Sequence, residues 1–272
     1  SSDLGTNFVA AFLQQNHNAC FGAVVDGTEM GGKQSHFFDK NPGKGLTYYQ
    51  SLYTECQKSS LIVDSTPDTM LYPEAVRGIY NEQGTASQVK IIFVLREPVD
   101  RELSWYNHRA HRAKQPEVPD DLKSMLKPDG TIKNFNEDVK DQLFYDFRRR
   151  NFDKLNGVYA ALLKRWFAAF PRKNILVLSF DEMRTNPESF LQRVHQFLDL
   201  PVPNPPPQLP KNENASVPQQ EMTKGLCGFL TYLSTRFFEK RNEDFYKLLE
   251  NVLGPEMEQR PFPRFAIQCD SS

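Results

Sequence analysis

No apolar run in the 272 residues approaches the roughly 20 needed to cross a bilayer as a helix, and no charged-then-apolar leader opens the chain. The chain as it stands reads as soluble, with any membrane attachment left to an anchor it does not contain. Charge of one sign is also lacking. Thirty-three Lys and Arg against 34 Asp and Glu leave a net charge of -1, so nothing global calls for a nucleic-acid or membrane-surface partner, and any anion site must be local. Cysteine is sparse: Cys20, Cys56, Cys227 and Cys269 form no CxxC pair, which argues against a zinc ribbon or a thioredoxin-type site. One or two disulfides and buried free thiols both fit that spacing. No GxxxxGK[ST] occurs, so a Walker-type kinase or NTPase is disfavoured. No internal repeat is found either.

What is present is enough apolar and aromatic content, 39% and 12%, to bury the core of one α/β domain spanning 1–272. The clearest strand is 89–95 (VKIIFVL), whose unbroken β-branched hydrophobicity suits a strand covered on both faces, as in a parallel sheet. Runs 61–64 (LIVD) and 174–180 (NILVLSF) look alike. Apolar residues recurring at three and four predict helices over 6–15, 73–81, 101–113, 158–170, 187–198 and 235–252. Strands alternating with helices of this length imply crossover units and a layered α/β fold. The polar, proline-bearing stretches 114–130 and 201–218 read as loops. The second of them holds a glycosylation sequon, Asn214, Ala215 and Ser216, which matters only in a secretory protein.

Ligands of open α/β sheets bind beyond the carboxyl ends of the strands. Arg96 follows the best strand directly, and Ser104 lies near the start of the next predicted helix. A guanidinium can grip a phosphate with two hydrogen bonds, and a hydroxyl near a helix N-terminus adds a donor. The same spacing also fits an Arg96 paired with a nearby carboxylate.

The segment VKIIFVLREPVDRELSWYNH, residues 89–108, resembles the 3'-phosphate-binding segment of PAPS-dependent sulfotransferases, and SWYNHRAH, 104–111, resembles the heparan sulfate N-sulfotransferase domain. HFFD (36–39), VDSTP (63–67), YAALLKRW (159–166) with the text of 170–201 as a helix, strand and helix, the late Lys-Gly loop at Thr223-Lys224-Gly225 and RFFEKRNEDFYKLL (236–249) resemble further pieces of heparan sulfate N- and 3-O-sulfotransferases, in the same order. The resemblance implies a three-layer, P-loop-like α/β fold with a mainly parallel central sheet flanked by helices. It implies PAPS as sulfuryl donor, PAP as product and no metal. Arg96, Ser104, Lys224 and Gly225 then hold the 3'-phosphate end, and Gly5, Thr6 and Asn7 the 5' end. A carbohydrate-like acceptor and a place in the Golgi lumen or outside the cell follow by the same resemblance.

Three positions depart from the pattern. The family's Lys-x-Gly-Thr-Thr loop aligns with Asp3, Leu4, Gly5, Thr6 and Asn7, so an acid stands where a lysine should. Like charges about 4 Å apart repel by roughly 4 kcal/mol at an effective dielectric near 20. The strand that normally precedes this loop is expected upstream of residue 1. Gln34 stands where the family has its glutamate base, and an amide is no base at neutral pH. Ser65 replaces the lysine of the second strand motif, and Lys33 is either a substitute cation or an exposed loop lysine.

His36 is then the candidate base, and His108 and His111, three apart on a helix, could serve or could contact the acceptor. Lys33 and Gln34 are assigned to the acceptor side. The basic run 148–150 could meet an acidic glycan or simply be a solvated helix end. Two functions stay open: a carbohydrate sulfotransferase acting on a hydroxyl or amine, and a sulfotransferase-like module that has lost catalysis and binds or scaffolds.

Overall fold

The structure, a computed structural model, describes residues 4–23, 33–56, 58–59, 61–140, 157–201, 223–254 and 261–267. Asp3, the 148–150 run, the sequon and Cys269 lie outside the described residues. In chain order the main elements are α1 (Leu4–His17), β1 (Ala19–Phe21), α2 (Phe37–Lys40), α3 (Gly45–Ser51), β2 (Leu61–Val63), α4 (Pro73–Glu82), β3 (Ile91–Leu95) and α5 (Pro98–Arg112). They continue with α6 (Tyr159–Ala169), β4 (Ile175–Ser179), α7 (Phe180–Thr185), α8 (Pro187–Leu198), α9 (Lys224–Leu233), a π turn at Ser234–Phe238 and α10 (Glu239–Leu253). The chain divides into two compact units, 3–95 with 162–212, and 1–2 with 96–161 and 213–272.

The first unit carries the strands. β1 pairs in parallel with β2, and β3 with β4, Ile91 opposite Ile175 through Leu95 opposite Ser179. Alternation along the strands decides which helix covers which face. Ile92, Val94, Leu176 and Leu178 join Val9, Phe12 and Leu13 of α1 and Phe190, Leu191 and Val194 of α8 in one cluster, to which Ala19, Phe21, Leu61 and Val63 also belong. Phe93 points the other way and meets Trp166 of α6 edge-on at 5.3 Å, while the Trp166 indole N–H donates to the Met70 carbonyl. Helices thus lie on both faces of the β3–β4 pair, giving the three layers of a parallel α/β fold.

A disulfide joins Cys20 in β1 to Cys56, and Cys227 is disulfide-bonded as well. The disulfide alternative therefore holds over the free-thiol one for these three residues. β1 escapes prediction because three residues are too short to show a period of two.

The second unit is helical among its described residues apart from one antiparallel bridge, Leu126 to Ile132. Val99, Leu103 and Tyr106 of α5 pack on Leu226, Leu230 and Leu233 of α9, with Leu122, Met125, Phe135 and Phe238 completing the core. Leu122 and Met125 sit in a 3-10 turn, Asp120–Met125, inside the stretch expected to be loop. A buried ion pair between Arg109 and Asp138 fixes the following helical stretch to α5. A second aromatic group gathers Tyr159, Phe245, Phe262 and Phe265 around α10.

The helix predicted over 235–252 is entered through the π turn, where the backbone takes one residue more per turn than an α-helix. The Arg241 guanidinium donates to the Phe237 carbonyl at 2.5 Å and lies over the Phe237 ring.

Candidate functional site

In the strand-bearing unit, Gly5 opens α1 against β3. A Cβ built on Gly5 would lie 2.5 Å from Val94 Cγ1 and 2.9 Å from Val94 Cβ, so only glycine allows this approach. Gly5, Thr6 and Asn7 form the first turn of α1 rather than a loop before it. The first turn of an α-helix presents backbone N–H groups to its N-terminal side, the arrangement that favours anions there.

The Lys33–His36 segment is bound to the end of β2. Ser65 donates its backbone N–H (3.1 Å) and its hydroxyl (2.5 Å) to the Lys33 carbonyl. The residue standing where the resemblance expects a lysine thus holds the backbone of Lys33. Asp64 is the hub: one carboxylate oxygen accepts from Ser35 Oγ at 2.6 Å, the other from Thr66 N–H at 3.0 Å and Thr66 Oγ1 at 2.6 Å. Thr66 Oγ1 in turn accepts the His36 backbone N–H at 3.1 Å. Gln34 is buried beside this network.

His36 has left-handed backbone angles, φ 53 and ψ 26, unusual for a residue with a Cβ. The Thr66 contact, together with buried Phe37 and Phe38, holds it there. Its Nδ1 lies 2.8 Å from Asp39 Oδ2, with both side chains about nine-tenths buried (10% and 9% exposed). When Nδ1 carries the proton donated to Asp39, Nε2 keeps the lone pair a base needs. Asp39 Oδ1 is buried with no partner among the described residues.

The Tyr49 and Tyr80 hydroxyls meet at 2.8 Å, and burial, aided by the Asp64 charge, pushes both phenols up. Burial followed by the Asp64 charge does the same to Tyr53. These phenols stay protonated across the physiological range.

In the helical unit, Arg96 turns its guanidinium onto Asp100, with Nε and Nη2 each 2.9 Å from Oδ2. The pair is not sealed, the side chains being 18% and 35% exposed. The Arg96 carbonyl accepts from the Tyr159 hydroxyl at 2.7 Å, a phenol that burial pushes far above its ordinary value.

α5 begins at Pro98, three residues before the predicted start, because Glu97 caps it and proline occupies its first position. Ser104 therefore lies in the second turn, buried, and not at the helix N-terminus. His108 stacks on Trp105, with ring centroids 5.7 Å apart and 17° between planes, while His111 on the last turn is exposed. Lys224 and Gly225, expected in a loop, open α9 behind Thr223, whose hydroxyl accepts the Leu226 N–H at 3.2 Å. Both are exposed at that helix N-terminus.

The structure thus gathers Lys33, Gln34 and His36 at Asp64–Thr66, and sets Ser104 and Lys224 on the packed pair α5 and α9, with Arg96 just before the α5 cap. The residues that sequence reasoning passed over are Asp39, Asp64, Glu97 and Asp100. Two of them had a local signal, Pro98 after an acid and an acid four residues beyond Arg96.

A family model described as the sulfotransferase domain matches residues 5–247. Heparan sulfate glucosamine 3-O-sulfotransferase 3B1 of Homo sapiens and of Mus musculus are each 28% identical over 169 residues, 62% of this chain and 39% of theirs. Heparan sulfate glucosamine 3-O-sulfotransferase 5 of Homo sapiens is 25% identical over 171 residues and matched along 45% of its length. The match thus spans less than half of these relatives. A sulfotransferase from Alicyclobacillus acidocaldarius shares the fold, with a TM-score of 0.62 at 20% identity over 91% of this chain and 92% of that one. With the domain model matched along most of its length and the layered α/β fold shared with a solved sulfotransferase, this chain belongs to the sulfotransferase domain family.

Proposed function

We propose that the chain is a single sulfotransferase domain that moves a sulfuryl group from PAPS to a hydroxyl or amine of a carbohydrate-like acceptor. The observation that carries this reading is the buried His36–Asp39 pair. It supplies an oriented base two residues from Gln34, where an amide has taken the glutamate's place. As the acceptor oxygen or nitrogen attacks, its bond to sulfur forms, the bond from sulfur to the 5'-phosphate oxygen breaks, and the acceptor proton passes to His36 Nε2.

Arg96, Ser104, Lys224 and Gly225 are assigned to the 3'-phosphate, and the first-turn amides of Gly5, Thr6 and Asn7 to the 5' end. These residues suit two anionic groups. The cation missing at Asp3 and Ser65 is assigned to Lys33, whose backbone Ser65 holds. Gln34 and Lys33 are assigned to the acceptor, as are His108 and His111. The transfer as drawn uses no metal. Disulfides at Cys20–Cys56 and Cys227 support an oxidising compartment, the Golgi lumen or the cell exterior.

The second reading, a domain that binds without turnover, is favoured by Gln34 and Ser65 in place of ionisable groups and by Arg96 already engaged with Asp100.

Thermal unfolding with PAP separates the two together with a turnover assay. At about 100 times its dissociation constant PAP adds roughly 2.7 kcal/mol, a rise of about 5–10 °C. The rise is expected to disappear in Arg96→Ala. His36→Asn tolerates the left-handed backbone, and is expected to keep the PAP shift while losing about 100-fold or more of PAPS turnover. A PAP shift without turnover in the wild-type chain supports the binding module. No shift in folded protein removes both nucleotide readings.

A further inference from the structure

The N-cap of α5 does more than start a helix. Glu97 is 2% exposed. Its Oε2 accepts the Asp100 backbone N–H at 2.6 Å, while its Oε1 is buried with no partner among the described residues. The residue before it is Arg96, and the side chain of the residue it caps, Asp100, holds the Arg96 guanidinium. Cap, carboxylate and guanidinium therefore form one linked cluster at the carboxyl end of β3.

The charged groups facing Glu97 are few. Arg96 favours its anion and Asp100 opposes it. From the neighbouring elements come the hydroxyls of Tyr159 and Tyr246, both of which feel the Glu97 charge. Arg101 and Glu102 act on Tyr159, and Arg264 and Glu243 on Tyr246.

We propose that Glu97 is a positioning residue for the Arg96 site and that it takes up a proton when a phosphate dianion docks at Arg96. The inference rests on the nucleotide reading above and deepens it. A dianion added beside Arg96 competes for the same guanidinium field that stabilises the Glu97 anion, and repels that anion directly. The proton has a defined place, the unpartnered Oε1. Protonation there leaves Oε2 free to keep accepting the Asp100 N–H, so α5 and Arg96 stay in position while one opposing charge is removed. Burial already pushes the Glu97 carboxyl up to about 7, so the uptake falls in the physiological range.

Calorimetric titration of PAP in two buffers of different ionisation enthalpy, from pH 8.5 to 6.5, tests the proposal. Wild-type protein is expected to absorb a substantial fraction of a proton per PAP near pH 7.5. Its affinity, relative to Glu97→Gln, is expected to rise about tenfold across the range, since each unit of pKa displacement is worth tenfold. Glu97→Gln mimics the protonated state; it is expected to bind PAP with only the proton exchange due to the phosphate itself.

The carboxyl 13C resonance of Glu97 in the wild-type protein gives a readout that needs no variant. It should titrate near 7 without PAP and at least a unit higher with it. PAP binding with equal proton exchange in both proteins, or an unmoved resonance, overturns the inference and leaves the nucleotide reading standing. Failure of PAP to bind folded wild-type protein overturns both.

Discussion

Gly5 is the residue whose replacement has the clearest cost. The atoms a new Cβ would meet, Val94 Cγ1 and Cβ, sit at the root of a short side chain on β3 and cannot swing aside as a long side chain's end would. Gly5→Ala is therefore expected to lose about 1–3 kcal/mol, the usual penalty for overpacking, although alanine is the better helix former. Urea denaturation reads this directly; an unchanged midpoint would mean that α1 slides along β3 at little cost. The opposite kind of residue is His36, whose left-handed backbone is kept by its partners and not by its own preference. Strain held in place by Thr66 and Asp39 is the usual mark of a position kept for what its side chain does.

Between elements, the plainest pH-sensitive contact joins the last turns of α1 and α8. His17 Nε2 and His195 Nε2 lie 2.9 Å apart, with the Phe12 ring against both imidazoles. One nitrogen must donate and the other accept, so both rings cannot be charged. Burial lowers both histidines, and the charge of His17 lowers His195 further. A folded-state value below the unfolded one gives stability that is present above the unfolded value near 6.5 and is lost as pH falls through the folded value. Melting temperature is expected to fall between pH 6.5 and 5 in the wild-type protein, and less so in His195→Gln. Parallel curves would show that the pair carries no pH dependence.

The elements themselves were uneven in how openly the sequence declared them. β3 and β4 were plain, because strands covered on both faces are apolar throughout. α9 was hidden: Lys224 and Gly225 read as loop, while the capping hydroxyl of Thr223 and the apolar spacing of Leu226, Leu230 and Leu233 were the helix signal.

For the whole molecule, the order of motifs along the chain carried the fold, since each strand and the helix after it left a local pattern of its own. The candidate site was half legible by the same measure. Arg96, His36 and Gly5 stand in recognisable text, but the acids that orient or occupy them, Asp39, Asp64 and Asp100, acquire meaning only through distances. Pairing of cysteines was hidden for the same reason. The Cys20–Cys56 crosslink has a sequence separation of 36 residues. Removing such a loop constraint costs about 3–4 kcal/mol, a large share of a typical folding free energy of about 5–15 kcal/mol. Replacing both cysteines by serine is expected to lower the melting temperature by roughly 7–14 °C; an unchanged value would show that the loop is held as firmly by its packing.

The π turn at Ser234–Phe238 has a bearing on which changes of length this domain can accept. Such a turn amounts to one added residue absorbed without breaking the helix. Deleting a single residue there would restore a regular α-helix while the residues after it keep their faces, so Phe245 and Leu249 stay inside around Tyr159. A deletion in the regular part of α10 would instead rotate everything after it by about 100° and draw it back by about 1.5 Å. The turn is therefore the place in this helix where a change of length by one residue is tolerated.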